Sequence, residues 1–372
     1  MSSRHTIKDK TRWVVKVGSA LLTDDGKGLN NNFIASIAKQ IAFLREQNIQ
    51  LVLVSSGSIA AGVHQLGLVK RPERVNELQA AAAVGQASLV RSYEDAFKPF
   101  GIAIAQVLLT HSDIANRRRY LNARSTLAKL IELDVLTVVN ENDTVATEEI
   151  CFGDNDSLGA LAANLIEADL LVILTDQDGL FTADPRTNAD AELISEARAN
   201  DSNLMKMASG GSELGRGGMV TKLTAAQQAS HSGASTIIAN GRLDRVLEKL
   251  YVGESVGTYL LASDRVNSRK QWVAGQMKVA GTLTLDAGAV KVLLESGKSL
   301  LPVGVVAVDG EFQRGELLSC VDQSGKEIAR GLSNYAYAET YKLLGKPSEM
   351  IPQLLGYGGE DELIHRDNLV IV

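Results

Sequence analysis

Short apolar runs alternate, over roughly the first 250 residues, with longer stretches in which apolar residues recur every three or four positions. The runs predict buried strands, and the longer stretches predict helices. The predicted strands are Trp13–Val17, Leu51–Val54, Ile102–Leu108, Leu136–Val139, Leu170–Thr175 and Thr236–Ala239. The predicted helices cover 31–48, 76–97, 113–133, 157–168 and 219–232, and a further one follows SSGSIAAG at 55–62. This alternation predicts a mainly parallel sheet sandwiched by helices.

The pattern changes near residue 258, which predicts two domains. The segment Leu260–Trp272 is polar and is typical of a linker. Beyond it, short β-like runs at Gly281–Leu285, Val303–Val308 and Leu317–Val321 are separated by turn signals. We therefore expect an α/β domain at 8–258, a linker at 259–276 and a small, mainly β domain at 277–372.

Composition and charge exclude several classes of protein. The 372 residues are 45% hydrophobic and 22% charged, with a net charge of -6, so the chain as a whole is not a binder of nucleic acid or anionic membranes. The two cysteines, Cys151 and Cys320, form no disulfide framework, and with no secretory signal this favours a reducing cytosol. No charge-free apolar window of membrane-spanning length occurs, and the five histidines form no metal-spaced pair, so we expect neither a membrane span nor a zinc site.

The polar loop from Asn140 to Asp156, NENDTVATEEICFGDND, connects a predicted buried strand to a predicted buried helix. Its amides and carboxylates need partners there, because an unsatisfied buried polar group costs free energy. At the carboxyl end of a strand in an open α/β sheet, such a loop favours a pocket for a small polar molecule. The alternative is an Asx-rich turn in which Asp156 caps the following helix.

The strongest phosphate-binding signal is GGSELGRGGMVTK at 210–222. Successive glycines let backbone N–H groups converge on an anion, and a helix beginning near Met219 would add its positive end. Lys222 would then lie one turn into that helix. Neither a Walker sequence nor a Gly-x-Gly-x-x-Gly fingerprint occurs in the chain. The alternative is a flexible surface loop that precedes a helix.

Three further strand ends carry small or charged residues. Lys16 lies in an apolar run, where a buried ammonium needs an anion; the alternative is an edge-strand lysine that blocks pairing. SSGSIAAG offers hydroxyls and a helix N-terminus to an anion, although a tight turn alone would explain it. Thr175-Asp176 could contact a nucleotide or form a plain turn. The carboxyl ends of parallel strands share one edge of the sheet, so these motifs should lie together. Their convergence is a more specific signal of a binding site than any single motif.

Five motifs, in this order, resemble the amino-acid kinase superfamily and in particular its glutamate 5-kinase family. They are VVKVGSALLT, LVLVSSGSIAAG, VVNENDTVATEEICFGDNDSLGALAA, LTDQDGLFTADPR and GRGGMVTKLTAA, and the resemblance covers about residues 10–258. The C-terminal FQRGELLSCVDQSGKEIARGLSNY is similar to a PUA domain. The resemblance implies an amino-acid kinase-like fold followed by a PUA-like domain. The sister kinases for acetylglutamate, aspartate and uridylate share the kinase fold but not the PUA-like domain.

The resemblance also implies a reaction and partners. The reaction is ATP-dependent phosphorylation of the L-glutamate side-chain carboxylate, with Mg²⁺, to γ-glutamyl phosphate, in the first step of cytoplasmic proline biosynthesis. Proline is implied as a feedback inhibitor, glutamate-5-semialdehyde dehydrogenase as a possible contact, and a homo-oligomer as the assembly. A carboxylate with a pKa of roughly 4.3 is already ionised at neutral pH and needs no general base. Lysines, magnesium and backbone N–H groups suit such phosphoryl transfer.

Site residues follow from the resemblance, position by position. Catalytic roles fall on the two lysines, with an acidic neighbour that holds them in register: Lys16, Lys222 and Asp154. Substrate binding falls on Ser56, Gly57, Asn140, Asp143, Asn155 and Asp156. Nucleotide binding falls on Lys16, Thr175, Asp176, Arg216, Gly217, Gly218, Met219, Val220, Thr221 and Lys222; no protein ligand to a metal is assigned.

Two departures and two rival functions remain. Arg216 replaces a threonine of the family pattern, and Ser58 replaces an alanine; neither affects the lysines. One rival is an RNA-binding protein with a degenerate kinase domain, although residues 277–372 hold nine Lys and Arg against thirteen Asp and Glu, the wrong balance for phosphate backbones. The other rival is a sister kinase with a different carboxylate substrate.

Overall fold

The structure is a computed structural model that describes residues 3–24, 28–110, 113, 117–146, 155–209, 218–262 and 279–371. The described residues divide into two compact units. The first lies within 1–114 and 123–268, and the second lies within 115–122 and 269–372. No helix among the described residues is long and apolar enough to span a membrane.

The first unit is built on an eight-stranded sheet. Its strands are β1 (Arg12–Val17), β4 (Gln50–Val54), β5 (Ile104–Leu109), β6 (Leu136–Glu141), β7 (Leu170–Thr175), β8 (Glu196–Arg198), β9 (Ser235–Asn240) and β10 (Thr258–Leu261), and a separate hairpin pairs β2 (Thr23–Asp24) with β3 (Gly28–Leu29). The order across the sheet is β5-β6-β4-β1-β7-β9-β10-β8. Every neighbouring pair in the sheet is parallel except β9 and β10. The predicted mainly parallel sheet is therefore confirmed.

Helices cover both faces of this sheet. They are α1 (Ser19–Leu22), α2 (Asn31–Glu46), α3 (Ser58–Gln65), α4 (Val75–Phe97), α5 (Arg117–Glu132), α6 (Asp156–Leu165), α7 (Ser202–Ser209), α8 (Met219–Ser230) and α9 (Val246–Tyr251), with 3-10 turns at Ser3–Asp9 and Lys98–Phe100. Strand β1 shows how the two layers arise. Trp13, Val15 and Val17 join the core that α2, α4 and α9 share. Lys16 points the other way, toward Gly159 of α6, because successive strand residues face opposite sides.

Helices α3 and α4 touch backbone to backbone. A Cβ atom added to Gly62 would lie 1.7 Å from the carbonyl oxygen of Ala81, and one added to Gly85 would lie 1.9 Å from that of Ser58. Both glycines are therefore required for this contact, since real Cβ atoms do not approach other atoms so closely. The contact fixes the start of α3, which follows directly from the loop after β4.

Two sequence-based interpretations change in the structure. β1 lies in the middle of the sheet, between β4 and β7, so the alternative of Lys16 as an edge-strand lysine is wrong. The linker was predicted at 259–276, but its first three residues, Tyr259 to Leu261, belong to β10. They are drawn into the sheet by the pairing of β10 with β9 on one side and β8 on the other. Residues 263–276 of the predicted linker lie outside the described residues.

The second unit contains a five-stranded sheet in the order β12-β11-β13-β14-β15. Its strands are β11 (Gly281–Leu285), β12 (Val305–Gly310), β13 (Leu317–Val321), β14 (Glu327–Leu332) and β15 (Leu369–Ile371), and its helices are α10 (Ala287–Ser296), α11 (Tyr337–Leu343) and α12 (Ile351–Leu355), with 3-10 turns at Pro302–Gly304, Ser348–Met350 and Arg366–Asn368. The prediction of a small β domain is confirmed, but it omitted the helices. For α10 the signals were present, since the Asp286 side chain accepts from the Ala289 N–H and Gly297 ends the helix with φ +55°.

Cys320 lies in the core of this second unit. It is fully buried, and burial raises the pKa of its thiol to about 12, with a smaller contribution from Glu327. The thiol is therefore an apolar packing group at neutral pH. Cys151 lies outside the described residues.

Candidate functional site

The carboxyl ends of β6, β4, β1 and β7 lie side by side at one edge of the first sheet, in that order. In the register, Val139 pairs with Val54, Val54 pairs with Lys16, and Lys16 pairs with Ile173. The polar loop after β6, the serine-rich turn after β4 and the Thr175 end of β7 therefore flank Lys16. The sheet topology alone brings these separate motifs to one place.

Three charged side chains at this edge form one buried ion-pair cluster, here called the lysine cluster: Lys16, Asp156 and Lys222. The Lys16 Nζ donates to Asp156 Oδ1 at 2.5 Å, and the Lys222 Nζ donates to Asp156 Oδ2 at 2.9 Å. The Thr221 hydroxyl lies between two acceptors, the Gly218 carbonyl at 2.8 Å and Asp156 Oδ2 at 3.1 Å. One carboxylate thus holds two ammonium groups from β1 and α8, which are separated by more than 200 residues in sequence.

Local structure explains how Lys16 reaches Asp156. A Cβ atom at Gly159 would lie 3.4 Å from Lys16 Cβ, so the aliphatic part of the lysine passes directly over this glycine. Asp156 and Gly159 are three residues apart on α6, and residues at this spacing share a helix face. Gly159 and Asp156 therefore face the same lysine, with the aliphatic part of Lys16 against the glycine and its ammonium group on the carboxylate.

The lysine cluster carries one net positive charge, and its three side chains are exposed by only 6%, 0% and 9% for Lys16, Asp156 and Lys222. Burial alone would raise the pKa of Asp156, but the charges and hydrogen bonds of Lys16 and Lys222 outweigh it and lower the pKa to about 2. The carboxylate is therefore ionised throughout the neutral range. An unshared positive charge in such a place attracts an anion, because the low dielectric strengthens the interaction.

A second group, here called the amide cluster, lies at the carboxyl ends of β6 and β4 and consists of Asn140 in β6, Ser55 after β4, Asn155 before α6 and Gln86 in α4. The Asn155 Nδ2 group donates to the Ser55 carbonyl at 2.5 Å and to Asn140 Oδ1 at 2.8 Å. Asn140 donates in turn to Gln86 Oε1 at 2.8 Å, and its Oδ1 also accepts from the Glu141 N–H at 2.9 Å. These bonds use the Asn155 NH₂ group and leave its carbonyl oxygen as the group that can accept from a ligand.

Asp143 lies beside the amide cluster, in the turn that follows β6. Its Oδ2 accepts from the Ser58 hydroxyl at 2.7 Å. Burial raises the pKa of Asp143 to about 6; the Ser58 bond opposes burial, and Glu141 and Arg71 make smaller contributions of opposite sign. A carboxylate of this kind can bind an ammonium group, because the new positive charge would offset the cost of ionisation.

The opposite side of the lysine cluster presents helix and strand ends suited to phosphates. Gly218 precedes α8, whose first turn contains Met219, Val220 and Thr221. Thr175 is mostly buried at the end of β7, and its hydroxyl donates to Asp176 Oδ1 at 3.2 Å, while the Asp176 side chain is exposed. Backbone N–H groups at a helix start and a neighbouring threonine are typical of phosphate-binding sites.

The structure places the assigned residues as follows. Lys16, Thr175 and Lys222 lie on one side of the edge, with Asn140, Asp143 and Asn155 on the other, and Ser56 and Gly57 stand between them at the start of α3. Gly57 has φ +99°, a conformation that favours glycine. Asp154, Arg216 and Gly217 lie outside the described residues, so the predictions about them stand as predictions.

Asp156 occupies a position that sequence reasoning did not give it. The resemblance assigned it to the substrate pocket and assigned the contact with both lysines to Asp154, but both Asp156 oxygens accept from the lysine ammonium groups. The alternative of Asp156 as a helix cap is wrong, because Asn155 is the N-cap residue and makes no side-chain cap bond. The cap interpretation fails because partners 66 and 140 residues away compete for the carboxylate.

Sequence reasoning missed several residues that support the site. Gln86 and Tyr93 of α4 are among them: Gln86 holds Asn140, and the Tyr93 hydroxyl is 2.9 Å from Ser55 Oγ. The two are seven residues apart and share a helix face with buried Leu89. Polar groups on an otherwise apolar stripe were the available signal, but the sequence does not show which loop lies opposite that stripe.

Comparison with known proteins identifies the family of this chain. The model of the Amino acid kinase family matches residues 11–240, and the PUA domain model matches residues 281–355. Glutamate 5-kinase of Pseudomonas entomophila (strain L48) is 58% identical over 372 residues, covering 99% of this chain and 100% of the relative. Glutamate 5-kinase of Ectopseudomonas mendocina (strain ymp) is also 58% identical, with the same coverage. The chain therefore belongs to the amino acid kinase family and, within it, to the glutamate 5-kinase family.

Proposed function

We propose that the protein transfers the γ-phosphoryl group of ATP to the side-chain carboxylate of L-glutamate and so forms γ-glutamyl phosphate. The lysine cluster carries this proposal, because it places two ammonium groups from distant parts of the chain on one carboxylate at a sheet edge. Full-length relatives that bear the glutamate 5-kinase name support the choice of substrate.

The order of loops along the edge matches the order of groups in the reaction. The amide cluster and Asp143, after β6 and β4, would bind the amino acid. The lysine cluster, reached from β1, would lie at the transferred phosphoryl group. Thr175 and Asp176, after β7, would bind the nucleotide. This arrangement brings the two substrates toward the lysines from opposite sides, which favours an in-line transfer.

Each half of the site would carry out a different part of the work. The glutamate side chain is ionised at neutral pH, so no general base is needed, and the barrier comes largely from bringing one anion up to another. Lys16 and Lys222 would lower that repulsion and stabilise charge on the transferred group. Asp156 would hold both ammonium groups in place without cancelling their charge. The Asp143 carboxylate and the Asn155 carbonyl oxygen would accept from the glutamate ammonium group.

ATP and magnesium fit the residues present. The start of α8 and the two lysines offer donors to phosphates, while the described residues contain no group of three or more His, Cys, Asp or Glu that could hold a metal ion. Magnesium commonly keeps several waters and binds through substrate phosphates, and when bound it supplies further shielding of their charge. Lys16, Lys222 and the N–H groups near Gly218 would hold the same phosphates from the protein side.

The proposal has a direct test. Purified protein is assayed for ADP release with glutamate, N-acetylglutamate and aspartate side by side, and hydroxylamine is added to trap any acyl phosphate as a hydroxamate. We expect ADP and hydroxamate in equal amounts with glutamate, and much less with the other two. Equal turnover with N-acetylglutamate would favour a sister kinase. The RNA-binding rival is not favoured; a salt-resistant RNA gel shift together with absent turnover would support it.

We also propose that proline inhibits by binding in the same pocket. Proline shares an α-ammonium group and an α-carboxylate with glutamate but lacks the side-chain carboxylate, so it could occupy the Asp143 and Asn155 side of the site without presenting a nucleophile. Competitive inhibition against glutamate, with no effect on the ATP KM, is the expected result. Proline inhibition that glutamate cannot relieve would place the inhibitor elsewhere.

A further inference from the structure

Ser58 joins two separate parts of the site. It is the first residue of α3 and is 3% exposed, and its hydroxyl donates to Asp143 Oδ2 at 2.7 Å across 85 residues of sequence. One partner belongs to the helix that follows β4, and the other belongs to the turn that follows β6. This bond therefore adds a direct side-chain link between two segments that Asn155 also bridges, through the Ser55 carbonyl and Asn140 Oδ1.

Both ends of this connection are held by their surroundings. The backbone of Ser58 lies against Gly85 of α4, where not even a Cβ atom would fit. On the other side, the turn that carries Asp143 is closed by N–H bonds from Val145 and Ala146 to the Asn142 carbonyl, at 3.1 and 3.2 Å. The Gln79 side chain of α4 also donates to the Ala146 carbonyl at 2.9 Å. A hydrogen bond between two such fixed groups restricts the carboxylate to one orientation.

The surroundings of Asp143 determine how readily its carboxylate ionises, and the Ser58 bond is one of these influences. Glu141 disfavours the ionised carboxylate and Arg71 favours it, while burial has the largest effect and disfavours it. The Ser58 hydroxyl opposes burial, because it donates to the charged form. It also occupies Oδ2 and leaves Oδ1 for a ligand. Hydrogen bonds to ionised groups are stronger than neutral ones, so the contribution of this one should be measurable.

We propose that Ser58 is a positioning residue that holds Oδ2 of Asp143, so that Oδ1 meets the ammonium group of the amino-acid substrate. The inference rests on the proposed function and extends it to a residue at which this chain departs from the alanine of the family pattern. Alanine at this position is compatible with the fold of that family. Ser58→Ala should therefore fold and lose only the hydrogen bond.

The experiment compares Ser58→Ala with the unchanged protein at several pH values. We expect the glutamate KM to rise about five- to tenfold, while kcat and the ATP KM stay the same, since the loss of one charge-assisted bond affects binding of the ammonium group. Burial then acts on Asp143 unopposed, so the pH below which the glutamate KM climbs should move upward. Ser88→Ala is the matched control, because it also removes one serine hydroxyl bond to α3, from Ser88 Oγ to Gln65 Oε1, at the opposite end of α3 from Ser58.

A double-mutant cycle shows whether Ser58 acts through Asp143. In an Asp143→Ala background, Ser58→Ala should leave the glutamate KM unchanged, because its partner is absent. A Ser58→Ala protein with an unchanged glutamate KM and pH profile would overturn the proposal. So would an effect of the same size in both backgrounds, which would indicate a structural role.

A substrate-free measurement separates this proposal from the proposed function. The pKa of Asp143 is raised from 3.8 to about 6, so the folded state binds the proton more tightly than the unfolded state. This proton contributes fully to the free energy of unfolding below about pH 4, and the contribution is lost as the pH rises through 6. Ser58→Ala should extend that loss to higher pH in urea unfolding of the full chain. Absent glutamate turnover with this shift present would contradict the proposed function but not the Ser58–Asp143 link, and an absent shift would contradict the link itself.

Discussion

The lysine cluster and the amide cluster lie at the same edge of the same sheet, yet they satisfy their buried polar groups in opposite ways. In the lysine cluster, one carboxylate pairs with two ammonium groups and a net positive charge is left over. In the amide cluster, Asn155, Asn140 and Gln86 form a chain of neutral hydrogen bonds that leaves no net charge. Both are mostly buried, so neither can rely on water.

The difference indicates a division of labour. A buried excess charge is unfavourable until an anion arrives, so the lysine cluster favours the binding of an anionic ligand such as a phosphate. The amide cluster has no excess charge, but its directed hydrogen bonds fix the orientation of the side chains that would contact a ligand. We therefore expect changes in the lysine cluster to affect turnover, and changes in the amide cluster to affect substrate binding.

The largest effect should come from Lys222→Ala. Loss of one ammonium from the transferred group is expected to lower kcat about a thousandfold, while the glutamate KM changes little, by analogy with the loss of a single oxyanion donor. Asp156 keeps Lys16 as a partner, so the protein should remain folded by circular dichroism. Lys39→Ala, an exposed lysine of α2, is the control. Near-normal turnover in Lys222→Ala would remove the distinction between the clusters.

Asn155→Ala tests the amide cluster and should affect glutamate binding more than turnover. It removes the bonds to Ser55 and Asn140 and the free carbonyl oxygen, so we expect the glutamate KM to rise about thirtyfold with a smaller change in kcat. Asn164→Ala is the matched control on α6, because Asn164 bonds to Ser232 away from the sheet edge. A loss of kcat with an unchanged glutamate KM would place Asn155 among the catalytic residues instead.

Asp143→Asn should weaken the proposed function and raise the free energy of unfolding. An amide cannot ionise, so the cost of burying this charge disappears. The free energy of unfolding at pH 8 should then rise by about 1 to 2 kcal/mol, a value reduced from the full linkage figure because the group is partly solvated. The gain should vanish below about pH 4, where Asp143 is protonated in both states. Urea unfolding at both pH values measures it, and a gain that does not depend on pH would have another cause.

Gln86→Leu should give the smallest effect of the four. It removes the bond to the Asn140 side chain but touches no proposed substrate group, so we expect only a two- to fourfold rise in the glutamate KM, about 0.5–1 kcal/mol. The ATP KM should not change. An effect as large as that of Asn155→Ala would show that Gln86 itself contacts the substrate.

The sequence by itself determined most of the first sheet. The apolar runs around Val14, Val52, Val138 and Val172 are strands because β-branched and aliphatic side chains pack well on both sides of a buried parallel sheet. The alternation with helices then follows from chain connectivity. The motifs that resemble a known family named Lys16, Lys222 and Asn155, since their residue types and spacing are visible without coordinates.

The tertiary structure decided which of those polar groups meet. Residues 16, 156 and 222 come together only because β1 lies between β4 and β7, an order that hydrophobic periodicity does not encode. Contacts across such sequence distances depend on strand order and on the close packing of α3 against α4 at Gly62 and Gly85. For this reason the partner of both lysines, and the supporting roles of Ser58 and Gln86, emerged only from the folded chain.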